Sequence, residues 1–157
     1  MSEPRVPPEV VIAELRSYCD EKARFLLTRH IEGEAGLPDM ILSSDQKNRF
    51  LNLWFCAAMQ FGATKKDDPT QRICRAAIAN AGLRDPDFLK ETSLVANFVQ
   101  RSQGVEDRGR EIFNSLLDNA FGTGLFDHNK VTPAWPSAEL GACVRYATHL
   151  ATTHKFR

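Results

Sequence analysis

Residues 50–61 read Phe-Leu-Asn-Leu-Trp-Phe-Cys-Ala-Ala-Met-Gln-Phe, and only Asn52 and Gln60 interrupt their apolar character. A helix formed by this stretch is apolar on nearly every side, because no face of it collects polar side chains. Such a helix belongs in the middle of a hydrophobic core, and it is shorter than the roughly 18 to 20 residues that a bilayer span requires. The stretch therefore predicts a central buried helix, over about residues 45–61, and Gly62 is expected to end it.

Short capping patterns predict where several other helices begin and end. Residues 43–46 read Ser-Ser-Asp-Gln, and a serine three positions before a glutamine is typical of a capping box. The pairs Asp68-Pro69 and Asp85-Pro86 each place a carboxylate where it accepts hydrogen bonds from the first turn, followed by a proline that gives up no needed donor. Gly82 is expected to close the helix between these two pairs.

Elsewhere, apolar residues recur at three- and four-residue spacing, which is the period of an amphipathic helix. No period-two run bounded by turn residues indicates a strand. The sequence therefore predicts an all-α, single-domain bundle of about six helices over residues 1–157, with residues 1–7 as a flexible tail. The predicted helices cover Pro8 to Ile31, about 45 to 61, Pro69 to Ala81, 85 to about Ser102, about Glu106 to Phe121, and about Ser137 onward.

Composition restricts the class of protein. The chain has 157 residues with 20 Lys plus Arg against 20 Asp plus Glu, and this balance of charge argues against a nucleic-acid partner. No apolar run is long enough for a membrane span, and the start, Met-Ser-Glu-Pro-Arg, lacks an apolar signal segment. We therefore expect a cytoplasmic protein that does not contact membranes.

The sequence predicts neither a metal site nor a cofactor. Cys19, Cys56, Cys74 and Cys143 are too far apart in sequence for a zinc or redox motif, so we expect reduced, mostly buried thiols. Phosphate-binding loops, nucleophile elbows and paired zinc histidines are absent from the sequence. No catalytic residues are predicted, and a protein without enzymatic activity is favoured over an enzyme.

The stretch from Phe121 to Pro136 is the most distinctive part of the sequence outside the central helix. We predict a loop here, because the flanking helices are well marked, and long loops in compact domains are often functional. A lid in which Phe126 and Trp135 fold back over the core is the commoner explanation of its aromatic side chains, and an exposed aromatic anchor at an interface is the functional alternative. The predicted partner-binding residues are Phe126, His128, Lys130 and Trp135.

Two functions remain open on this basis. The first is a non-enzymatic protein-interaction module, such as an adaptor, inhibitor or chaperone-like protein, that uses the aromatic loop at residues 122–136 and an adjoining helix face. The alternative is a helical bundle that binds a small molecule or cofactor in a pocket lined by Trp54, Phe55 and Met59. A homodimer formed through surplus apolar surface is also left open.

Overall fold

The computed structural model describes residues 7–27, 43–104, 106–122 and 134–153, with the backbone alone at residue 89 and residues 134–136. These residues contain no strand, which confirms the predicted all-α bundle. None of the helices in the described ranges has the length and apolar character needed to cross a membrane. The six helices are α1 (Pro8–Leu27), α2 (Ser44–Ala63), α3 (Asp68–Arg84), α4 (Pro86–Arg101), α5 (Arg108–Phe121) and α6 (Ala134–Thr153).

Helix α2 lies at the centre of the bundle and packs against each of the other five helices. From Phe50 to Met59 every residue except Asn52 is buried, and the Trp54 side chain is 1% exposed. The Phe113 ring from α5 meets the rings of Phe50 and Trp54 edge-on, at centroid distances of 5.7 and 6.3 Å. The predicted central helix is therefore confirmed.

The predicted capping box at the start of α2 is also confirmed. The Ser43 hydroxyl accepts a hydrogen bond from the backbone N–H of Gln46 at 3.1 Å. In return, the backbone N–H of Ser43 donates to the Gln46 side-chain oxygen at 3.2 Å. Two N–H groups at the helix start, which have no partner within the helix itself, are satisfied in this way.

The prediction that Gly62 ends α2 is wrong, because the helix continues to Ala63 and is capped at Thr64. Gly62 is buried, and a Cβ atom at this position would collide with the Cys74 sulfur. The glycine therefore serves the close approach of α2 and α3 rather than the end of a helix.

Helix α3 differs from its prediction at both ends. Asp67, rather than Asp68, is the N-cap, and its side chain accepts from the backbone N–H of Thr70. Gly82 lies within the helix, which continues to Arg84. The helix stops there because Asp85 precedes a proline, which disfavours helical backbone, and Asp85 is extended and caps α4 as predicted.

Helix α6 begins at Ala134, earlier than the predicted start near Ser137. Trp135 and Pro136 therefore belong to the first helical turn rather than to a loop that extends to Pro136. A proline is tolerated there because backbone N–H groups in the first turn have no partner inside the helix. The predicted end of α1 at Ile31, the tail at residues 1–6 and residues 123–133 lie outside the described residues.

Helices α1 and α6 pack side by side in opposite directions. The rings of Tyr18 and Tyr146 stack at a centroid distance of 4.1 Å, and the Tyr146 hydroxyl donates to a Glu14 oxygen at 2.8 Å. Further along the pair, Lys22 lies 3.7 Å from a carboxylate oxygen of Glu139. The opposite side of α6 packs on α3, so α6 joins helices that are far apart in sequence.

The starts of α5 and α6 approach so closely that only glycine fits at position 109. A Cβ atom there would lie 2.5 Å from the Ser137 Cα and 2.7 Å from its backbone nitrogen. We expect Gly109→Ala to lower the free energy of unfolding by about 1 to 3 kcal/mol, because the backbone must move to relieve the contact. Urea unfolding followed by circular dichroism measures this change.

Gly141→Ala is the matched control within a helix. Its nearest neighbour would be the end of the Arg145 side chain, at 3.1 Å, which can move away. We expect its stability to be unchanged or raised by up to about 1 kcal/mol, since alanine favours helix. Equal stability of the Gly109→Ala variant and the wild type would contradict the close packing of α5 on α6.

Candidate functional site

A cleft of about 370 Å³ lies between α1, α2, α3 and the start of α4. This volume falls within the usual range of ligand pockets, about 300 to 1,000 Å³. One face of α1, with residues spaced by three and four positions, supplies a wall of the cleft. The residues that line it are Glu9, Ile12, Ala13, Arg16, Ser17, Asn52, Phe55, Asn80, Ala81, Arg84, Asp85 and Phe88.

Phe55 and Phe88 form the aromatic part of the cleft. Their ring centroids lie 6.3 Å apart, and both residues are almost fully buried. Ile12 adds a third buried apolar side chain from α1. The cleft is therefore backed by the core itself, and an apolar group that entered would be removed from water at this wall.

Arg16 is the most firmly held polar residue in the cleft. Its Nε donates to an Asp20 carboxylate oxygen at 2.8 Å, and its Nη2 donates to the Asn52 side-chain oxygen at 2.6 Å. The guanidinium carbon lies 4.8 Å from the centroid of the Phe55 ring, a cation–π arrangement. These contacts join α1 to α2 and fix the position of the guanidinium.

The remaining charged residues of the cleft are one cation and two carboxylates. The cation is Arg84, in the last turn of α3, and the carboxylates belong to Glu9 and Asp85. One oxygen of Asp85 already accepts the backbone N–H of Asp87 at 3.0 Å as part of the α4 cap. Leu83, beside Arg84, is 88% exposed, so the end of α3 presents an apolar side chain to solvent.

Most of the predicted partner-binding residues lie outside the described residues. Phe126, His128 and Lys130 lie outside the described residues, and Trp135 is described by its backbone alone, in the first turn of α6. Their role in partner binding therefore stays a prediction.

The predicted pocket lined by Trp54, Phe55 and Met59 stays a prediction, and the cleft shares one of these three residues. Phe55 lines the cleft as expected. Trp54 and Met59 do not line it: Trp54 is buried on another face of α2, and Met59 is buried one turn beyond Phe55. The sequence pattern could not distinguish these positions, since α2 is apolar on nearly every face.

Sequence reasoning missed the polar residues Arg16, Asn52 and Asn80. One signal was present: Asn52 is the polar exception inside an apolar run, and a buried helix carries such a residue where a partner satisfies it. The partner, Arg16, lies 36 positions away in sequence, and nothing local indicates that the two side chains meet.

All four cysteines are free and buried, as predicted. A hydrogen bond with Cys143, together with burial, raises the pKa of the Cys19 thiol well above its ordinary value. Burial raises the pKa of Cys74 to about 12, and it also raises the pKa of Cys56. The thiols of Cys19, Cys56 and Cys74 are therefore protonated at neutral pH and are poor nucleophiles.

The described residues contain no group of three or more His, Cys, Asp or Glu side chains that could hold a metal ion. No histidine or cysteine is among the described residues that line the cleft. Its guanidinium, amide, hydroxyl and carboxylate groups can bind and orient a ligand through hydrogen bonds and charge.

Comparison with known proteins gives no further guidance, since no family model, no curated protein and no solved structure matches the chain.

The buried thiols predict how the protein responds to a thiol reagent and to alkali. We expect Ellman's reagent at pH 8 to leave the native protein unmodified and to react with four thiols after unfolding in guanidinium. Rapid modification of the native protein would contradict the burial of the thiols.

Unfolding free energy should also fall at alkaline pH. An unfolded thiol has a pKa of about 8.5, whereas folding raises it, so the fold favours the protonated form. The stabilisation is fully present below that pH and is lost as the pH rises toward about 12, the pKa of Cys74 in the fold. Cys74→Ala should reduce this loss, as measured by urea unfolding between pH 8 and 10.

Proposed function

We propose that the protein binds a small organic molecule in the cleft between α1, α2, α3 and the start of α4, without catalysing its conversion. The observation that carries this proposal is the combination of a pocket-sized volume, an apolar lining and a guanidinium already held in place. An apolar lining supplies binding energy, and a few placed polar groups supply orientation.

The fixed positions of the polar groups in the cleft support the binding of a ligand. Arg16 is held by contacts with three side chains, so little conformational freedom is lost when a ligand engages it. Asn52 is also held in place, because it lies on α2, which packs against each of the other five described helices. A ligand with an apolar part and hydrogen-bonding groups fits this surface.

A second candidate is the protein-interaction module predicted from the segment at residues 122–136. Two large apolar side chains, Leu83 at 88% and Val10 at 53% exposed, are available as contacts for such a partner. The partner on this reading is a protein, either of another kind or a second copy of the same chain in a homodimer.

We also propose that the protein is located in the cytoplasm. Four free, buried cysteines support it, because thiols stay reduced in reducing compartments. The formal net charge of zero supports a partner other than nucleic acid.

Native mass spectrometry tests the cleft directly. We expect the purified wild-type protein to retain a small molecule, seen as a mass above that of the chain. Ala13→Trp should abolish retention, because Ala13 lines the cleft at an exposed position and the indole would occupy the space. Melting temperature should change little in this variant.

Ala138→Trp is the matched control, since Ala138 is also exposed on a helix and does not line the cleft. This variant should retain the molecule as the wild type does. A bare chain mass for the wild type, or equal retention by the Ala13→Trp variant, would overturn the proposed site. A dimer mass would support self-association.

The interaction candidate has a separate test in Trp135→Ala. If Trp135 is a partner contact, affinity capture should lose the proteins that wild-type bait enriches, while the melting temperature stays within about 1 °C of wild type. A large fall in melting temperature would instead assign Trp135 to the core, and an unchanged set of captured proteins would rule it out as a contact.

A further inference from the structure

The guanidinium of Arg16 is only partly used by the protein. Its Nε and Nη2 groups, which lie on one edge, donate to Asp20 and Asn52. Nη1 makes no hydrogen bond to any residue that the structure describes, and its two N–H groups remain to be satisfied. Because the side chain is 28% exposed, this nitrogen is not left in a dry interior without a partner.

The two bonds leave part of the guanidinium open. Asp20 accepts from Nε and Asn52 accepts from Nη2, so both N–H groups of Nη1 remain for a ligand carboxylate. The Phe55 ring covers a face of the same group, so the plane of these donors is also held.

The other residues of the cleft add an apolar surface and further charged groups to the site. Ala13 and Ala81 offer accessible apolar surface in front of the buried rings of Phe55 and Phe88, and Arg84 adds a second cation at the end of α3. The acids in the cleft are Glu9, in the first turn of α1 and seven residues before Arg16, and Asp85, which is engaged in the α4 cap. Among the described residues Arg16 forms its ion pair with Asp20, one turn further along α1, and not with Glu9.

Resting on the proposed function, we infer that the ligand of the cleft is an amphipathic carboxylate. Its carboxylate pairs with the Nη1 donors of Arg16, and its apolar part lies against the accessible apolar lining of the cleft at Ala13 and Ala81. Asp20 is then a positioning residue for the arginine, and the ligand supplies the acceptors that the protein does not. Charge-assisted hydrogen bonds of this type contribute more than neutral ones, so a carboxylate is preferred over an uncharged analogue.

Phenylacetate and phenylacetamide form a matched pair of probes, since they share the ring and differ in charge. Titration of each into ¹⁵N-labelled protein, followed by amide chemical shifts at cleft residues, gives two dissociation constants. We expect the wild type to bind phenylacetate about tenfold more tightly than phenylacetamide. Arg16→Met should remove this preference and leave the weaker binding of phenylacetamide unchanged.

Arg72→Met is the control for loss of a positive charge, because Arg72 is exposed, pairs with Asp68 and does not line the cleft. It should keep the preference for phenylacetate. Should Arg16→Met fail to fold, Arg16→Lys carries the test: it keeps the charge, loses the planar fork, and should reduce the preference several-fold.

The outcomes separate the inference from the function on which it rests. Equal binding of the two probes to the wild type would overturn the carboxylate and leave the small-molecule cleft standing. A preference that survives in the Arg16 variants would overturn the role of Arg16. Failure of both probes to shift the cleft residues would overturn the inference and count against the cleft as a small-molecule site.

Discussion

Burial of α2 is the constraint on which the rest of the bundle depends. A helix with no polar face can be kept from water only if other helices surround it, and the five others do so. The cost is visible at Trp54, whose indole N–H is buried without a hydrogen-bond partner in the described part of the chain. The apolar area that α2 removes from water outweighs that loss.

Polar side chains on α2 mark the places where this enclosure is modified. Gln60 donates to the backbone oxygen of Thr92 at 2.8 Å and so ties α2 to α4. Asn52 instead accepts from Arg16, and at this point the surrounding helices leave a cleft rather than a closed core. The candidate site is therefore a consequence of how the other helices cover α2. Asn52, which interrupts the apolar run of α2, also holds Arg16 in the cleft.

Local signals in the sequence were sufficient for most of the fold. The period of apolar residues predicted the helices, and the capping box at Ser43 and the cap at Asp85 fixed two of their starts. Gly62 and Gly82, both predicted to end helices, could not be interpreted locally, because a glycine that ends a helix and a glycine that lies within one look alike in sequence. At Gly62 the reason for the glycine is the close approach of Cys74 from α3. The site was less accessible still, since the meeting of Arg16 with Asn52 depends on tertiary packing.

The antiparallel pairing of α1 with α6 also affects how the protein is made. The ribosome synthesises α1 first among these helices and α6 last, so α1 cannot pack against α6 until α2 to α5 have also been made. During that interval one side of the nascent bundle stays uncovered, including the surface that the Tyr18 and Tyr146 stack later closes. The bundle can therefore close only once α6 has been synthesised, and until then the face of α1 that carries Tyr18 lacks the helix that covers it.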